Sequence, residues 1–209
     1  MTYDLIIFDM DGTLVDSSHL LANAINHVRS RLDLPPMPHE SIIGAVNDHH
    51  LNPARYFYEV EQFLPIHEQY FSEYYTKHHT AQLALYEGIK PLLESLKSSG
   101  IALALATNAH RISALESLEH LGIASCFDAI ACHDDVPHPK PAPDMLYHIL
   151  ETLHLPAQSA LFVGDGPRDE EAAAAAGVDY LMVDWGFTEH AKDKRVVRSV
   201  EALREILEQ

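Results

Sequence analysis

The sequence has little cysteine and no long apolar run. Only two cysteines, Cys126 and Cys132, occur among its 209 residues, which is too few for a disulfide-stapled secreted domain. No stretch approaches the roughly 20 apolar residues that span a bilayer, and the start of the chain does not have the long apolar segment of a signal peptide. We therefore expect a cytoplasmic protein that does not enter a membrane.

Basic residues are also scarce. The chain has 14 basic and 31 acidic residues, so its formal net charge is −17. A field of this sign repels nucleic acids and anionic membrane surfaces, so neither is an expected partner. An anionic substrate would have to be captured by local groups. Apolar residues make up 47% of the chain, which is enough for one main domain with an insertion.

A short apolar run near the start of the chain ends in two carboxylates. Residues 3–8 have the length of a buried strand, Asp9 and Asp11 follow, and Gly12 permits a turn. Side chains two residues apart in an extended chain point the same way, so both acids converge just past the strand. Close carboxylates repel each other unless a cation or an electrophile uses them. A turn or capping pair is the alternative, since Asp-Gly is common in turns.

The next segment has helical rather than strand periodicity. Apolar residues recur at helical spacing over residues 20–32 and again over 56–75, where Pro65 interrupts the pattern. Nothing between Asp16 and Tyr86 predicts a strand. We therefore predict an inserted all-helical domain over residues 17–86, with residues 1–16 and 87–209 forming the core domain.

From Glu87 onward, strands and helices alternate. The predicted strands are 101–106, 129–131, 160–163 and 180–183, and the predicted helices are 90–98, 111–121, 142–153, 169–176 and 200–207. This alternation indicates right-handed crossovers and an α/β fold with a doubly wound, Rossmann-like parallel sheet of five strands or more. Ligands of such sheets bind outside the carboxyl ends of the strands.

Polar residues follow each of the first four predicted strands. Thr107 and Asn108 stand between a strand and a helix, where hydroxyl, amide and helix N–H groups can hold phosphate oxygens. Lys140 is a cation flanked by prolines that fix the course of its loop. Asp165 and Asp169 add hard oxygen ligands which, with the acid of the first strand, suit Mg²⁺. This inventory favours phosphoryl transfer, in which one carboxylate attacks phosphorus and its neighbour carries the proton.

Four ordered segments resemble the motifs of the haloacid dehalogenase superfamily. They are residues 9–17 (DMDGTLVDS), 107–108 (TN), 140–144 (KPAPD) and 164–169 (GDGPRD). The chain is most similar to the phosphoglycolate phosphatase-like and β-phosphoglucomutase-like branch, whose members carry a helical cap after the first motif. The resemblance implies a Mg²⁺-dependent phosphatase that hydrolyses small phosphate monoesters, either phosphoglycolate-like compounds or sugar phosphates.

The resemblance also implies a role for each site residue. Asp9 is the nucleophile that forms an aspartyl-phosphate, and Asp11 is the general acid and base. The other implied roles are phosphoryl binding by Gly12, Thr107 and Asn108, charge balance by Lys140, and Mg²⁺ binding by Asp9, the Asp11 carbonyl, Asp165 and Asp169. The expected partner is a small phosphorylated metabolite, and the expected state is a monomer or weak homodimer.

Two other functions remain open within this resemblance. Sugar phosphomutases of this branch carry a histidine soon after the first motif. The corresponding position in this chain is near Leu21, which disfavours a mutase. A catalytically silent binding or regulatory relative is disfavoured because both acid pairs are intact. Two departures from the family pattern are Glu170, where an aliphatic residue is usual, and the missing arginine before Ile43-Gly44. The second departure weakens the case for phosphoglycolate itself.

Histidine is unusually frequent, with fifteen in the chain. Eight lie in the predicted insert, and a zinc site is one interpretation of them. Adjacent histidines such as His49 and His50 do not have the i, i+4 spacing of helical zinc ligands. We therefore expect surface or half-buried histidines without a metal.

Overall fold

Strands and helices alternate along most of the chain in the computed structural model, which describes residues 3–46, 51–185 and 196–208. The chain divides into two compact units. One contains the chain up to Asp16 and from Ala84 onward, and the other contains Ser17–Leu83. No helix among the described residues is long and apolar enough to cross a membrane.

The first unit is built on a parallel sheet. The strands, in chain order, are β1 (Leu5–Phe8), β2 (Val15–Asp16), β3 (Ala84–Leu85), β4 (Ala102–Ala106), β5 (Ala129–Ala131), β6 (Ala160–Gly164), β7 (Asp179–Val183) and β8 (Val196–Val197). Six of them form the parallel sheet in the order β5-β4-β1-β6-β7-β8. Every residue of β1 is buried, as expected for a central strand covered on both faces. The predicted α/β fold with a parallel sheet is confirmed.

Helices connect these strands and also make up the second unit. In chain order they are α1 (Ser18–Arg31), α2 (His39–Val46), α3 (Pro53–Tyr58), α4 (Pro65–Gln82), α5 (Ile89–Ser98), α6 (Arg111–His120), α7 (Asp144–Leu153), α8 (Pro167–Ala176) and α9 (Val200–Leu207). The predicted helices of the first unit all exist, and none of their ends is shifted by more than two residues. Helix α8 begins at Pro167 rather than Asp169, because proline is favoured at the first helical position.

Strands β2 and β3 form a short two-stranded sheet, which lies just before and just after the helical unit in the chain. Val15 pairs with Leu85 and Asp16 with Ala84, in antiparallel register. The Tyr86 N–H extends the pairing by donating to the Leu14 carbonyl at 3.1 Å. The prediction that no strand lies between Asp16 and Tyr86 is therefore wrong at β3. A strand of two residues is too short to show a periodicity of two.

The second unit consists of α1 to α4 around its own apolar core, which includes Ile25, Ile42 and Phe57. Helix α3 ends at Glu59, which adopts a left-handed conformation with φ of 60°. The predicted helical run through residues 56–64 therefore stops early. Pro65 begins α4 instead of interrupting a longer helix, which again places proline at the start of a helix.

Candidate active site

The register of the central strands brings three predicted site segments to one edge of the sheet. Phe8 of β1 pairs with Leu105 of β4 on one side and with Val163 of β6 on the other. Asp9 follows β1 directly, and the chain after β4 and β6 continues in the same direction because the strands are parallel. The acid pair, the Thr107–Asn108 segment and the Asp165 loop therefore lie at the carboxyl edge of the sheet, where ligands of this fold class bind.

Lys140 lies between two carboxylates of this edge. Its Nζ is 2.6 Å from Asp9 Oδ1 and 2.6 Å from Asp169 Oδ1. The lysine side chain is only 3% exposed, and the two carboxylates are 11% and 5% exposed. Buried charges of this kind persist only when they are paired and hydrogen-bonded. Lys140 thus contacts Asp9, which is 131 positions away in the chain, and Asp169, which is 29 positions away.

Three carboxylates converge beside the lysine. Oxygen atoms of Asp9, Asp165 and Asp169 all lie within 4.8 Å of one another, and no other such cluster of His, Cys, Asp or Glu occurs among the described residues. A compact set of carboxylate oxygens fits Mg²⁺, which prefers hard oxygen ligands and completes its shell with water and substrate phosphate. The Asp11 carboxylate is outside this cluster, and its main-chain carbonyl stays a predicted ligand.

The sequence predicts surface or half-buried histidines, and the structure buries two of the described ones. The one carboxylate cluster contains no histidine, within the segments that the structure describes. His67 and His79 are buried, and each ring bonds the main chain of its own helix or helix start. His49 and His50 lie outside the described residues.

Two glycines make room for the carboxylates. A Cβ atom on Gly12, whose φ is +80°, would lie 2.3 Å from Asp165 Oδ2. A Cβ atom on Gly164 would lie 2.5 Å from Asp169 Oδ2. Both distances are far below van der Waals contact, so any side chain at these positions would displace a carboxylate of the cluster. Gly12, predicted to bind a phosphoryl group, is here the backbone neighbour of Asp165.

The electrostatics of the cluster favour a further cation. Burial raises the pKa of Asp9 to about 7, an effect that Lys140 opposes and that the charges of Asp169 and Asp11 increase. Burial also raises the pKa of Asp165 well above its ordinary range, with Asp9 and Asp169 adding to the effect. Burial by itself would lower the pKa of Lys140, but the charges of Asp169 and Asp9 outweigh it and raise that pKa. One ammonium therefore does not neutralise three neighbouring carboxylates.

Thr107 and Asn108 contact different partners. Thr107 is 1% exposed, and its Oγ1 accepts a hydrogen bond of 3.1 Å from the Ala109 N–H. The hydroxyl keeps its own proton for a further acceptor. The Asn108 amide instead bonds the main chain of Lys140 with both of its polar atoms. The sequence predicted the same role for both side chains, and the structure gives them different contacts.

Tyr180 supports the Asp165 loop from the neighbouring strand β7. The Tyr180 hydroxyl lies 3.0 Å from the Gly164 carbonyl and 3.2 Å from the Gly166 carbonyl, so its proton is shared between the two residues that flank Asp165. Burial raises the pKa of Tyr180, with Asp169 and Asp165 adding to the effect. A tyrosine within a strand looks like an ordinary core residue, so no sequence pattern indicated this contact.

Arg111 and Asp135 form a second support that the sequence did not indicate. Arg111 Nε and Nη2 donate to the two carboxylate oxygens of Asp135 at 2.6 and 2.7 Å. Arg111 Nη2 also donates to the Ile130 carbonyl at 2.8 Å. This two-pronged pair ties the start of α6 to β5 and the turn that follows it, and so fixes the segment that carries Thr107.

The comparisons with known proteins agree with this geometry. A family model described as haloacid dehalogenase-like hydrolase matches residues 6–183. The phosphoglycolate phosphatase of Chromobacterium violaceum is 32% identical over 191 residues, which cover 88% of this chain and 86% of that protein. The phosphoglycolate phosphatase of Neisseria gonorrhoeae is 34% identical, with 87% of this chain and 80% of that protein covered.

A solved structure gives the same result for the fold. The structure of a predicted phosphoglycolate phosphatase from Haemophilus somnus has a TM-score of 0.84 and 26% sequence identity, and the match covers 99% of this chain and 98% of that one. The family match spans most of the chain, and it includes the three strands whose ends carry the acid cluster and the Thr107–Asn108 segment. The chain therefore belongs to the haloacid dehalogenase-like hydrolases, in their phosphoglycolate phosphatase-like branch.

Proposed function

We propose that this phosphoric monoester hydrolase acts on small phosphate monoesters through an aspartyl-phosphate on Asp9, with Mg²⁺ as its cofactor. The observation that carries the proposal is the position of Lys140, 2.6 Å from both Asp9 and Asp169 in a buried cluster of three carboxylates. A lysine and three acids at the carboxyl edge of a parallel sheet can hold a phosphoryl group and a metal together.

In the first step Asp9 attacks phosphorus. A bond forms between an Asp9 carboxylate oxygen and phosphorus while the bond from phosphorus to the leaving oxygen breaks. Asp11 gives its proton to that oxygen, so the alcohol leaves as a neutral molecule. Lys140 compensates the negative charge of the phosphoryl oxygens and of Asp9, and the Thr107 hydroxyl donates to one phosphoryl oxygen.

In the second step water removes the phosphoryl group from Asp9. Asp11, now ionised, takes a proton from the water as its oxygen attacks phosphorus. The bond from phosphorus to the Asp9 oxygen breaks, which releases inorganic phosphate and returns the carboxylate. Asp11 is then protonated again and ready for the next substrate, so the two steps balance in atoms and protons.

The donor set indicates how Mg²⁺ would be held. Asp9, Asp165 and Asp169 would supply carboxylate oxygens, and the Asp11 carbonyl is the fourth ligand that the family resemblance implies. When bound, the ion supplies positive charge that stabilises the transferring phosphoryl group. A cation here would also lower the raised pKa of Asp9 and keep the nucleophile ionised.

We also propose that the helical unit, residues 17–86 in our sequence prediction, is a cap that selects the leaving group. It is inserted directly after the first motif, and the antiparallel pair of β2 and β3 joins its two chain connections. Relatives named phosphoglycolate phosphatase make a small phosphorylated metabolite the expected substrate.

Phosphate release from a panel of phosphomonoesters tests the proposal. We expect Mg²⁺-dependent release by the wild type, loss of that release with EDTA, and no release by Asp9→Asn. Asp184→Asn is a useful control, because this other buried carboxylate pairs with Arg198 and lies outside the cluster. Equal activity of wild type and Asp9→Asn across the panel would contradict the proposal, and isomerised product instead of free phosphate would indicate a mutase.

A further inference from the structure

We propose that Asn108 is a positioning residue that fixes Lys140, and that its side chain is not a ligand of the phosphoryl group. The inference rests on the proposed phosphatase function and refines one of its assigned roles. It starts from a pair of hydrogen bonds that no motif comparison predicts. Asn108 Nδ2 donates to the Lys140 carbonyl at 2.9 Å, and the Lys140 N–H donates to Asn108 Oδ1 at 3.1 Å.

This pair of bonds holds both polar groups of one residue's main chain. A single hydrogen bond would leave the Lys140 backbone free to turn about it, whereas two bonds to the N–H and carbonyl of the same residue fix its position and its orientation. The partners are 32 residues apart in the sequence. Asn108 thus connects the turn after β4 to the separate loop that carries the lysine.

The Lys140 ammonium can keep its position only if the Lys140 main chain is held in place. Its side chain is 3% exposed and its Nζ contacts two carboxylates at 2.6 Å, so the ammonium has one arrangement that satisfies both. A shift of the Lys140 main chain moves Nζ relative to Asp9 and Asp169. Misplacement of a catalytic group by about 1 Å can lower a rate by about 10²-fold.

The same contacts argue against direct binding of phosphate by the Asn108 side chain. Its carbonyl oxygen must face the Lys140 N–H, and an amide oxygen would repel a phosphoryl oxygen in any case. One of its two amide hydrogens is already used. Thr107 differs, since its hydroxyl accepts from Ala109 and still has a proton to donate. Both polar atoms of the Asn108 side chain are thus engaged by Lys140, and the Thr107 hydroxyl is the side-chain donor that we assign to the phosphoryl group at this turn.

A double-mutant cycle with Lys140 separates the two roles. We expect Asn108→Ala to lower kcat for p-nitrophenyl phosphate by about 10²-fold in the wild-type background. In a Lys140→Met background, where no ammonium remains to be positioned, the same substitution should change kcat by no more than about twofold. Equal fold losses in both backgrounds would mean that Asn108 acts independently of Lys140, and would overturn the proposal.

The chain offers a matched control for the lost hydrogen bonds. Asn26 makes the same reciprocal pair with Met37, since its Nδ2 donates to the Met37 carbonyl at 2.9 Å and its Oδ1 accepts from the Met37 N–H at 2.8 Å. Asn26→Ala should lower the melting temperature to a similar extent as Asn108→Ala. It should alter kcat by the same factor in both Lys140 backgrounds.

A measurement without turnover distinguishes this inference from the proposed function. Mass spectrometry after acetic anhydride treatment should show slow labelling of Lys140 in wild type and Asn26→Ala, and faster labelling in Asn108→Ala, relative to the exposed Lys77. If no phosphate is released by wild type but Lys140 protection still depends on Asn108, the function is wrong and the positioning role holds. If Lys140 protection is the same in all three proteins, the positioning role is wrong whatever the activity.

Discussion

Gly12 and Gly164 each stand where a carboxylate of the acid cluster approaches the main chain. Asp165 lies against the first glycine and Asp169 against the second, at distances that no Cβ atom permits. The positions of two predicted metal ligands thus depend on residues that have no functional group. Substitution of a glycine therefore tests the geometry of the cluster while every carboxylate is kept.

Gly12→Ala is expected to lower activity far more than it lowers stability. The alanine must adopt φ of +80°, which costs about 1–2 kcal/mol, and its Cβ must push Asp165 away. Gly100→Ala is the control, because Gly100 has φ of +83° and no atom within 4 Å of the added Cβ. Thermal denaturation should show similar losses for both variants, and kcat should fall only for Gly12→Ala. Equal kcat values would mean that Asp165 is not held by this contact.

The stability of the metal-free protein should depend on pH through Asp9. The pKa of Asp9 in the folded protein is about 7, above its value of about 4 in an unfolded chain. The folded state therefore holds this proton more tightly, and the resulting stability is present at low pH and lost as pH rises towards 7.

Melting temperatures in EDTA at pH 5 and pH 8 measure this effect. Asn at position 9 cannot ionise, so the advantage of Asp9→Asn over wild type should grow between the two pH values. Mg²⁺ should then stabilise the wild type more at pH 8 than at pH 5, because protons compete with the metal at low pH. A difference between wild type and Asp9→Asn that does not change with pH would contradict the assigned pKa.

At the residue scale, the sequence predicts which groups meet and does not predict how they are supported. Asp9, Lys140 and Asp169 could be placed together because each follows a strand of one parallel sheet. The pairing of Asn108 with the Lys140 main chain could not be predicted, since it depends on the path of a loop between prolines. Tyr180 was missed for a related reason, because a hydroxyl that bonds main-chain carbonyls leaves no motif.

At the scale of elements, the Asp165 loop is held between β6, α8 and β7. Gly166 is the N-cap of α8, and its N–H donates to Asp169 Oδ2 at 3.2 Å. The Tyr180 hydroxyl from β7 contacts the carbonyls on both sides of Asp165. One strand thus restrains the loop that a neighbouring strand and helix form.

Tyr180→Phe should therefore weaken Mg²⁺ binding and lower activity. Loss of the shared hydrogen bond costs about 1 kcal/mol in stability and frees the loop that carries Asp165. Tyr147→Phe is the matched control, because that hydroxyl donates to the Ala175 carbonyl at 3.0 Å, at the other end of α8. Calorimetric titration with Mg²⁺ should show weaker binding for Tyr180→Phe alone. Identical Mg²⁺ affinities in the two variants would refute the support assigned to Tyr180.

The elements themselves were predicted to different degrees. Buried apolar runs gave β1, β4 and β6, because strands covered on both faces have few polar residues. Strands β2, β3 and β8 have two residues each, so only their pairing with a neighbouring strand defines them, and no sequence periodicity can show. Aromatic spacing suggested a longer helix after Asn52, but Glu59 ends it and Pro65 starts the next one.

At the scale of the whole molecule, charge bears on the choice of substrate. The net charge of −17 repels anionic metabolites, so a second negative group on the leaving alcohol needs its own cation. The helical unit has four Lys or Arg residues. Arg29 is buried and bonds the carbonyls of Pro35 and Phe57, while Arg31 pairs with Glu73 and Arg55 with Glu61. Among the described residues of this unit, Lys77 is the one Lys or Arg with none of these contacts.

We therefore expect the enzyme to favour phosphate esters of neutral alcohols. Glycerol 3-phosphate and 3-phosphoglycerate differ only by a hydroxymethyl group in place of a carboxylate, and the first should have the higher kcat/KM by about tenfold, the equivalent of one charged hydrogen bond. The same comparison should include 2-phosphoglycolate, the substrate named for relatives of this chain. Added salt should reduce the difference. A preference for the carboxylate-bearing esters would contradict this prediction.

The proposed mechanism depends on the formation of an aspartyl-phosphate on Asp9. Rapid acid quench of wild type during turnover with Mg²⁺, followed by peptide mapping by mass spectrometry, tests it most directly. We predict a phosphorylated peptide with the modification on Asp9 in the wild type, and no such peptide in Asp9→Asn. Phosphate release by wild type without phosphorylation of Asp9, together with an active Asp9→Asn, would show that Asp9 is not the nucleophile.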